Sequence, residues 1–115
     1  MAIAGQVVLF KFSQTNLVIG KLRPALLIKP IPNNYQDWLT CMISGKTGQE
    51  IVSLDMIITA NAPNFQQTGL KSASIIRLSR LAVISESILL GNIGNISASR
   101  LQTIKDQLSA WILDV

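Results

Sequence analysis

The feature that most limits the fold of this 115-residue chain is the brevity of its apolar runs. The longest are four residues, as at 7–10 and 25–28, and both of these stop at a lysine, Lys11 and Lys29. A bilayer span needs about 20 apolar residues, so no membrane segment is expected. Runs this short suit strands. Residues 6–12 alternate, with Val8, Phe10 and Phe12 on one face and Lys11 on the other, which predicts a half-buried strand. Residues 24–28 are continuously apolar and predict a more buried strand, ended by Pro30, Pro32 and Asn33-Asn34. Residues 13–21, between the two, read as a loop, unusually apolar at Leu17, Val18 and Ile19. It is expected either to be mobile until a ligand orders it or to fold onto the sheet.

Residues 38–43 predict a third strand closed by Ser44-Gly45. The clearest alternation is at 51–58, with Val52, Leu54, Met56 and Ile58 on one face and Ser53 and Asp55 on the other. A turn-rich loop at 61–69 precedes two short strands at 73–78 and 81–84. Gly91-Asn92 and Gly94-Asn95 predict turns. Only the end of the chain changes period. Leu101, Ile104, Leu108 and Trp111 recur at helical spacing, Ser97 is a fitting N-cap, and Ile96 and Leu101 stand where a hydrophobic staple would. The whole predicts one domain over 1–115, α+β but mainly β: a small barrel with a C-terminal helix as cover.

Composition narrows the chemistry. There is no histidine and one cysteine, Cys41, which excludes an internal disulfide and argues against a zinc site. With no leader pattern at the N-terminus, a cytoplasmic location is expected. Only 14% of residues are charged and 49% are hydrophobic, so an apolar surface covered by a second copy or a partner is expected. Residues 1–80 hold eight basic and three acidic residues; 81–115 hold two and three. The basic, sheet-forming part suits an anionic ligand such as nucleic acid, although ordinary solubility charge accounts for it equally well.

Ser44-Gly45-Lys46-Thr47-Gly48 suggests a phosphate loop but fails the pattern, because Thr40 stands where the leading glycine is needed. The six carboxylates form no local acid–base or metal cluster, and Cys41, without a histidine to activate it, reads as a structural thiol. Arg23-Pro24 is more specific. The proline fixes the arginine at the mouth of a buried strand, where its fork of donors could grip a phosphate. On spacing alone, a surface arginine at a strand start is the plainer account.

Five segments carry a resemblance: Gly5-Gln6-Val7-Val8-Leu9, Lys21-Leu22-Arg23-Pro24-Ala25-Leu26-Leu27-Ile28, Cys41-Met42-Ile43-Ser44, Gly69-Leu70-Lys71-Ser72-Ala73-Ser74, and Ile93-Gly94-Asn95-Ile96-Ser97 before the helix. In order and spacing, over nearly the whole chain, they resemble the PemK/MazF family of toxin endoribonucleases. The resemblance implies an SH3-like barrel of the CcdB/PemK kind, a homodimer and a cognate antitoxin. It also implies cleavage of single-stranded RNA without metal or cofactor, by attack of the 2′-OH on the adjacent phosphate. The family's catalytic Arg maps onto Arg23 and its hydroxyl residue, usually Thr, onto Ser44. Lys21, Lys46, Thr47 and Arg77 are the expected RNA-binding residues. Departures fall at Gln6, where the family usually has an acid, at 12–16 including Asn16, and at Ser44 itself. An arginine can stabilise and protonate a developing phosphorane, but it is a poor base, and no general base is assigned. The rival reading is a non-catalytic binding module on the same barrel, either a protein-target poison or a degenerate copy that only binds antitoxin.

Overall fold

Six strands and one helix follow one another along the chain: β1 (Gln6–Lys11), β2 (Leu22–Pro30), β3 (Asp37–Ser44), β4 (Met56–Ile58), β5 (Ser74–Ser85), β6 (Gly91–Asn95) and α1 (Ala98–Leu113). This is a computed structural model, and it describes residues 2–11 and 22–114. The expected strand end at Phe12, the loop at 13–21 and the RNA-binding residue Lys21 therefore lie outside the described residues. The strands form a single sheet in the order β4-β5-β3-β2-β1-β6, every neighbouring pair antiparallel. The sheet curls into a half-barrel with α1 at its C-terminal end, the mainly β architecture expected.

Both faces of the sheet are buried, and the strand periods explain how. On one face Val7, Leu26, Cys41, Ile43 and Ile76 meet Ile104 and Leu108 of α1 in the larger core. On the other, Val8, Phe10, Ala25, Leu27 and Trp38 form a second cluster, partly covered by Ala2, Ala4, Met42 and Leu89. β1 is thus covered on two sides at Val7 and Val8 rather than half-buried, and Ala25–Ile28 fills both cores from one continuous apolar run.

α1 follows the expected period. The Ser97 hydroxyl accepts the Arg100 N–H at 3.2 Å, and Ile104 and Leu108 point inward. Trp111 does not join them: it is half exposed, beside the still more exposed Ile112 and Leu113.

Three further expectations fail, each for a tertiary reason. Residues 51–55 are a turn, not a strand. The Ile51 carbonyl accepts both the Leu54 and Asp55 N–H groups, at 2.9 and 2.7 Å, and the Asp55 carboxylate accepts the Ile51 N–H at 2.9 Å. A side chain that closes such a turn outcompetes a ladder. Only Met56–Ile58 pairs as a strand, while Val52 is left in solvent.

The strands expected at 73–78 and 81–84 are one strand, β5, interrupted by a bulge. Cys41 pairs Leu81 while its neighbour Met42 pairs Arg77, so Leu78, Ser79 and Arg80 stand out of register.

The Gly-Asn pairs at 91–95 are strand β6, not turns. Gly94 lies against the backbone of Gln67 and Thr68 in the 3₁₀ turn Phe65–Thr68, and Gly69 lies against the Ile93 carbonyl. A Cβ at either position would collide with backbone, which is why glycines occupy this edge.

Candidate active site

The register of the central strands gathers one row of side chains. Ala25 pairs Met42 and Met42 pairs Arg77. Because strand faces alternate, Arg23 (two before Ala25) and Ser44 (two after Met42) share the face of Met42 and Arg77. This is the face of the second, smaller cluster, and the row begins where that cluster's apolar cover stops. Phe10, paired with Arg23 across β1 and β2, is buried beside it.

The row opens into a cavity of ≈ 280 Å³ whose lining includes Arg23, Ser44, Lys46, Arg77 and Arg80. Gln49 adds a neutral polar group. Four cations and no carboxylate face it, among the described residues. Volume alone would not select this cavity. A hollow of ≈ 470 Å³ near the N-terminus carries Glu86 and no cation, and one of ≈ 440 Å³ at the end of α1 carries Asp114. A third, ≈ 280 Å³, beside the start of α1 holds Arg100 as its single charge. Concentrated positive charge in a concave site draws anions, and of these four cavities the first provides it.

Arg23 is exposed at the start of β2 and lines the cavity. The Ser44 oxygen accepts the Lys46 N–H at 3.2 Å, which fixes the hydroxyl at the end of β3 and leaves its own proton to donate. Lys46 lies in the turn that follows. No α-helix follows this Ser-Gly-Lys-Thr-Gly segment, consistent with its failure as a phosphate loop. Thr47, expected to bind RNA, is exposed and does not line the cavity.

Behind the cavity lies a carboxylate that local sequence did not single out. The Asp55 side chain is fully buried. Its Oδ1 accepts the Ser79 N–H at 2.9 Å; its Oδ2 accepts the Ser79 hydroxyl at 3.0 Å and the Ile51 N–H at 2.9 Å. Arg77 Nε stands 4.0 Å from Oδ2. Burial pushes this carboxyl up, but the backbone donors of Ile51 and Ser79, the Ser79 hydroxyl and the Arg77 charge outweigh it and hold it below its ordinary 3.8. Asp55 is therefore ionised and its oxygens are committed to donors, which disqualifies it as a ready proton acceptor for the cavity.

Cys41 is wholly buried, and burial, with Asp55 adding to it, pushes its thiol up to about 12. It is the inert structural thiol the sequence indicated. No group of three or more His, Cys, Asp or Glu side chains is placed to hold a metal ion among the described residues, and no helix is long and apolar enough to cross a membrane.

Sequence reasoning did not select Arg80 or Asp55. A regular strand sets residues 77 and 80 on opposite faces, so no local signal pairs Arg80 with Arg77; the bulge does. Asp55 joins Ser79 across 24 residues, a partnership no local pattern displays.

Comparison with known proteins follows this geometry. The profile of the PemK-like, MazF-like toxins of type II toxin–antitoxin systems matches residues 3–112. Among solved structures, the Mycobacterium tuberculosis toxin MazF-mt6 superposes with a TM-score of 0.67 at 16% identity, over 96% of this chain and 99% of that one. An endoribonuclease in complex with its cognate antitoxin, from Mycobacterial species, superposes with a TM-score of 0.63 at 13% identity, over 100% and 99%. At such identities the likeness is one of fold. No curated protein sequence matches the chain.

Proposed function

Since the chain belongs to the PemK-like, MazF-like toxin family of type II toxin–antitoxin systems, we propose that it is a metal-independent endoribonuclease that cuts single-stranded RNA at the Arg23–Ser44 cavity. The observation that carries this reading is the meeting of Arg23 and Ser44 in one concave site among three further cations, without a facing carboxylate.

In the proposed reaction the 2′-oxygen of the RNA attacks the adjacent phosphorus. The 2′-O–P bond forms, the P–O5′ bond breaks, and a 2′,3′-cyclic phosphate and a 5′-hydroxyl result. Arg23 faces the phosphate with a fork of aligned donors and stabilises the charge that grows on its oxygens. Ser44 donates its proton to a phosphate oxygen and holds it in line. With no histidine in the chain and Asp55 committed to its donors, water takes the 2′ proton and protonates the leaving 5′-oxygen. Lys46 and Arg77 hold the flanking backbone; Thr47, outside the cavity, would contact RNA beyond it.

The same reading gives the chain a cognate antitoxin and a symmetric dimer. Exposed apolar side chains, among them Leu81 and Val83 on β5 and Trp111, Ile112 and Leu113 on α1, supply surface for such contacts. Light scattering of the free protein at micromolar concentration should give twice the chain mass.

The deciding experiment maps cleavage sites on a long RNA in excess chelator and identifies the new ends. Cyclic phosphate and 5′-hydroxyl ends support the reading. Ends bearing 5′-phosphate, or cutting only with added magnesium, overturn it. A pure protein that leaves RNA intact favours the binding-module account.

A further inference from the structure

The bulge in β5 changes which side chains the cavity receives. Between the partners of Cys41 and Met42 it inserts three residues, an odd number, so the strand resumes with its faces exchanged. Arg77 precedes the insertion and Arg80 ends it, and both line the same cavity as Arg23 and Ser44. The distortion frees backbone groups from the ladder, and Asp55 takes up one of them, the Ser79 N–H, together with the Ser79 hydroxyl. The same carboxylate stands 4.0 Å from Arg77 Nε, which is buried and has no hydrogen-bond partner among the described residues. One buried acid thus ties down the middle of the bulge and places its charge beside the guanidinium of Arg77, the residue that precedes the bulge.

We propose that Arg77 and Arg80 form a single clamp for the RNA backbone beside the Arg23–Ser44 site, and that Asp55 is the positioning residue that sets this clamp through the bulge. The proposal rests on the endoribonuclease reading for the nature of its ligand and adds a second group of contacts. A phosphodiester carries one negative charge, and Arg23 with Ser44 already suffices for the one being cut. Two further guanidiniums in the same cavity are matched to the neighbouring phosphates. Guanidinium forks grip phosphate oxygens in pairs, and a rigid bulge holds them ready without a further ordering cost. Asp55 itself is shielded from solvent, so its role runs through the bulge and not through contact with the RNA.

The test is the salt dependence of binding to a single-stranded DNA oligonucleotide, which carries the phosphates but lacks the attacking 2′-hydroxyl. Each phosphate contact on a single strand contributes about 0.7 to the slope of log affinity against log salt. Arg80→Ala and Arg77→Ala should each reduce the slope by about 0.7. Arg80→Lys should retain it, and Lys29→Ala, an exposed cation outside the cavity, should leave it unchanged. Asp55→Asn removes a negative charge, which by simple attraction would strengthen binding; the positioning role requires the opposite, a shallower slope and weaker binding with every cation still present. If Asp55→Asn does not fold, Ser79→Ala, which removes one donor and no charge, should weaken binding in the same direction by less. A wild-type slope in Arg80→Ala overturns the clamp, and unchanged or tighter binding in folded Asp55→Asn, or in Ser79→Ala, overturns the positioning role. Either result with RNA cleavage intact leaves the endoribonuclease reading standing. A wild-type protein that neither cuts RNA nor binds the oligonucleotide removes both.

Discussion

On the face of the sheet covered by α1, Val7, Leu26, Cys41, Ile43 and Ile76 meet Ile104 and Leu108, and the row of apolar side chains is continuous. On the opposite face the row of Val8, Ala25 and Leu27 passes Met42 and then turns polar, with charge at Arg23 and Arg77 and a hydroxyl at Ser44. The same strands build both faces, and alternation sends neighbouring residues of one strand to opposite tasks: Ile43 to the core, Ser44 to the cavity. Stability and chemistry should therefore separate cleanly by face, and substitutions can test that separation.

The largest effect is expected on the helix-covered face. Ile104→Ala and Leu108→Ala remove fully or nearly fully buried side chains and should each cost about 2–5 kcal/mol of unfolding free energy. Denaturant titration measures this. Cleavage per folded molecule should stay at the wild-type level; a loss of activity in protein that remains folded would break the separation.

Arg23→Ala should do the reverse. Loss of a donor to transition-state charge elsewhere lowers rates by roughly 10²–10³, and a similar fall is expected here with the melting temperature unchanged. Arg23→Lys should recover little, since an ammonium cannot reproduce the fork. Ser44→Ala should cost less, and Ser44→Thr, the family's usual residue, should keep or raise activity. If Arg23→Ala cuts at the wild-type rate, the cavity is not where the chemistry occurs.

These contrasts also mark what was legible in the sequence. β2, β3 and α1 could be read because their partners are generic: any apolar neighbour satisfies Ala25–Ile28, and Ser97 caps its own helix. Arg23 stood out through the proline after it, its catalytic role and Ser44 came from a resemblance, and the register that joins them follows once β2 and β3 are paired. The missed elements depend on particular distant atoms. Residues 51–55 alternate as a strand would, but Asp55 finds Ile51 and Ser79 and closes a turn instead. Gly94 of β6 looks like a turn residue because a glycine required for close approach and one required for a turn are the same letter. Arg80 was illegible because a bulge is invisible to an argument from alternation.

Asp55 joins the 51–55 turn to the bulge of β5, and pH should expose it. Its carboxyl is held below 3.8 in the folded protein, so its contribution to stability is fully present above the ordinary carboxyl value. As pH falls below that value toward the lower folded one, the contribution disappears. Urea midpoints measured from pH 6 downward should therefore drop more steeply below pH 3.8 in the wild type than in Asp55→Asn, which has no such proton to take up. Parallel acid limbs in the two proteins would show that the carboxylate does not hold the bulge.

The smallest effect is expected at Ser97, and its direction is the sharpest check on the separation of faces. Its hydroxyl accepts the Arg100 N–H, one of the donors that a helix start leaves without an internal partner. Ser97→Ala should cost about 1 kcal/mol. Ser97→Asp should restore that loss or exceed it, because a carboxylate caps the same N–H and also faces the positive end of the helix dipole. Both variants act on the element that closes the larger core and stand outside the cationic cavity, so RNA cleavage per folded molecule should be the same in the two and in the wild type. A change in cleavage that follows the charge introduced at 97, rather than the stability lost, would mean that the cavity's field extends to the start of α1, where Arg100 stands.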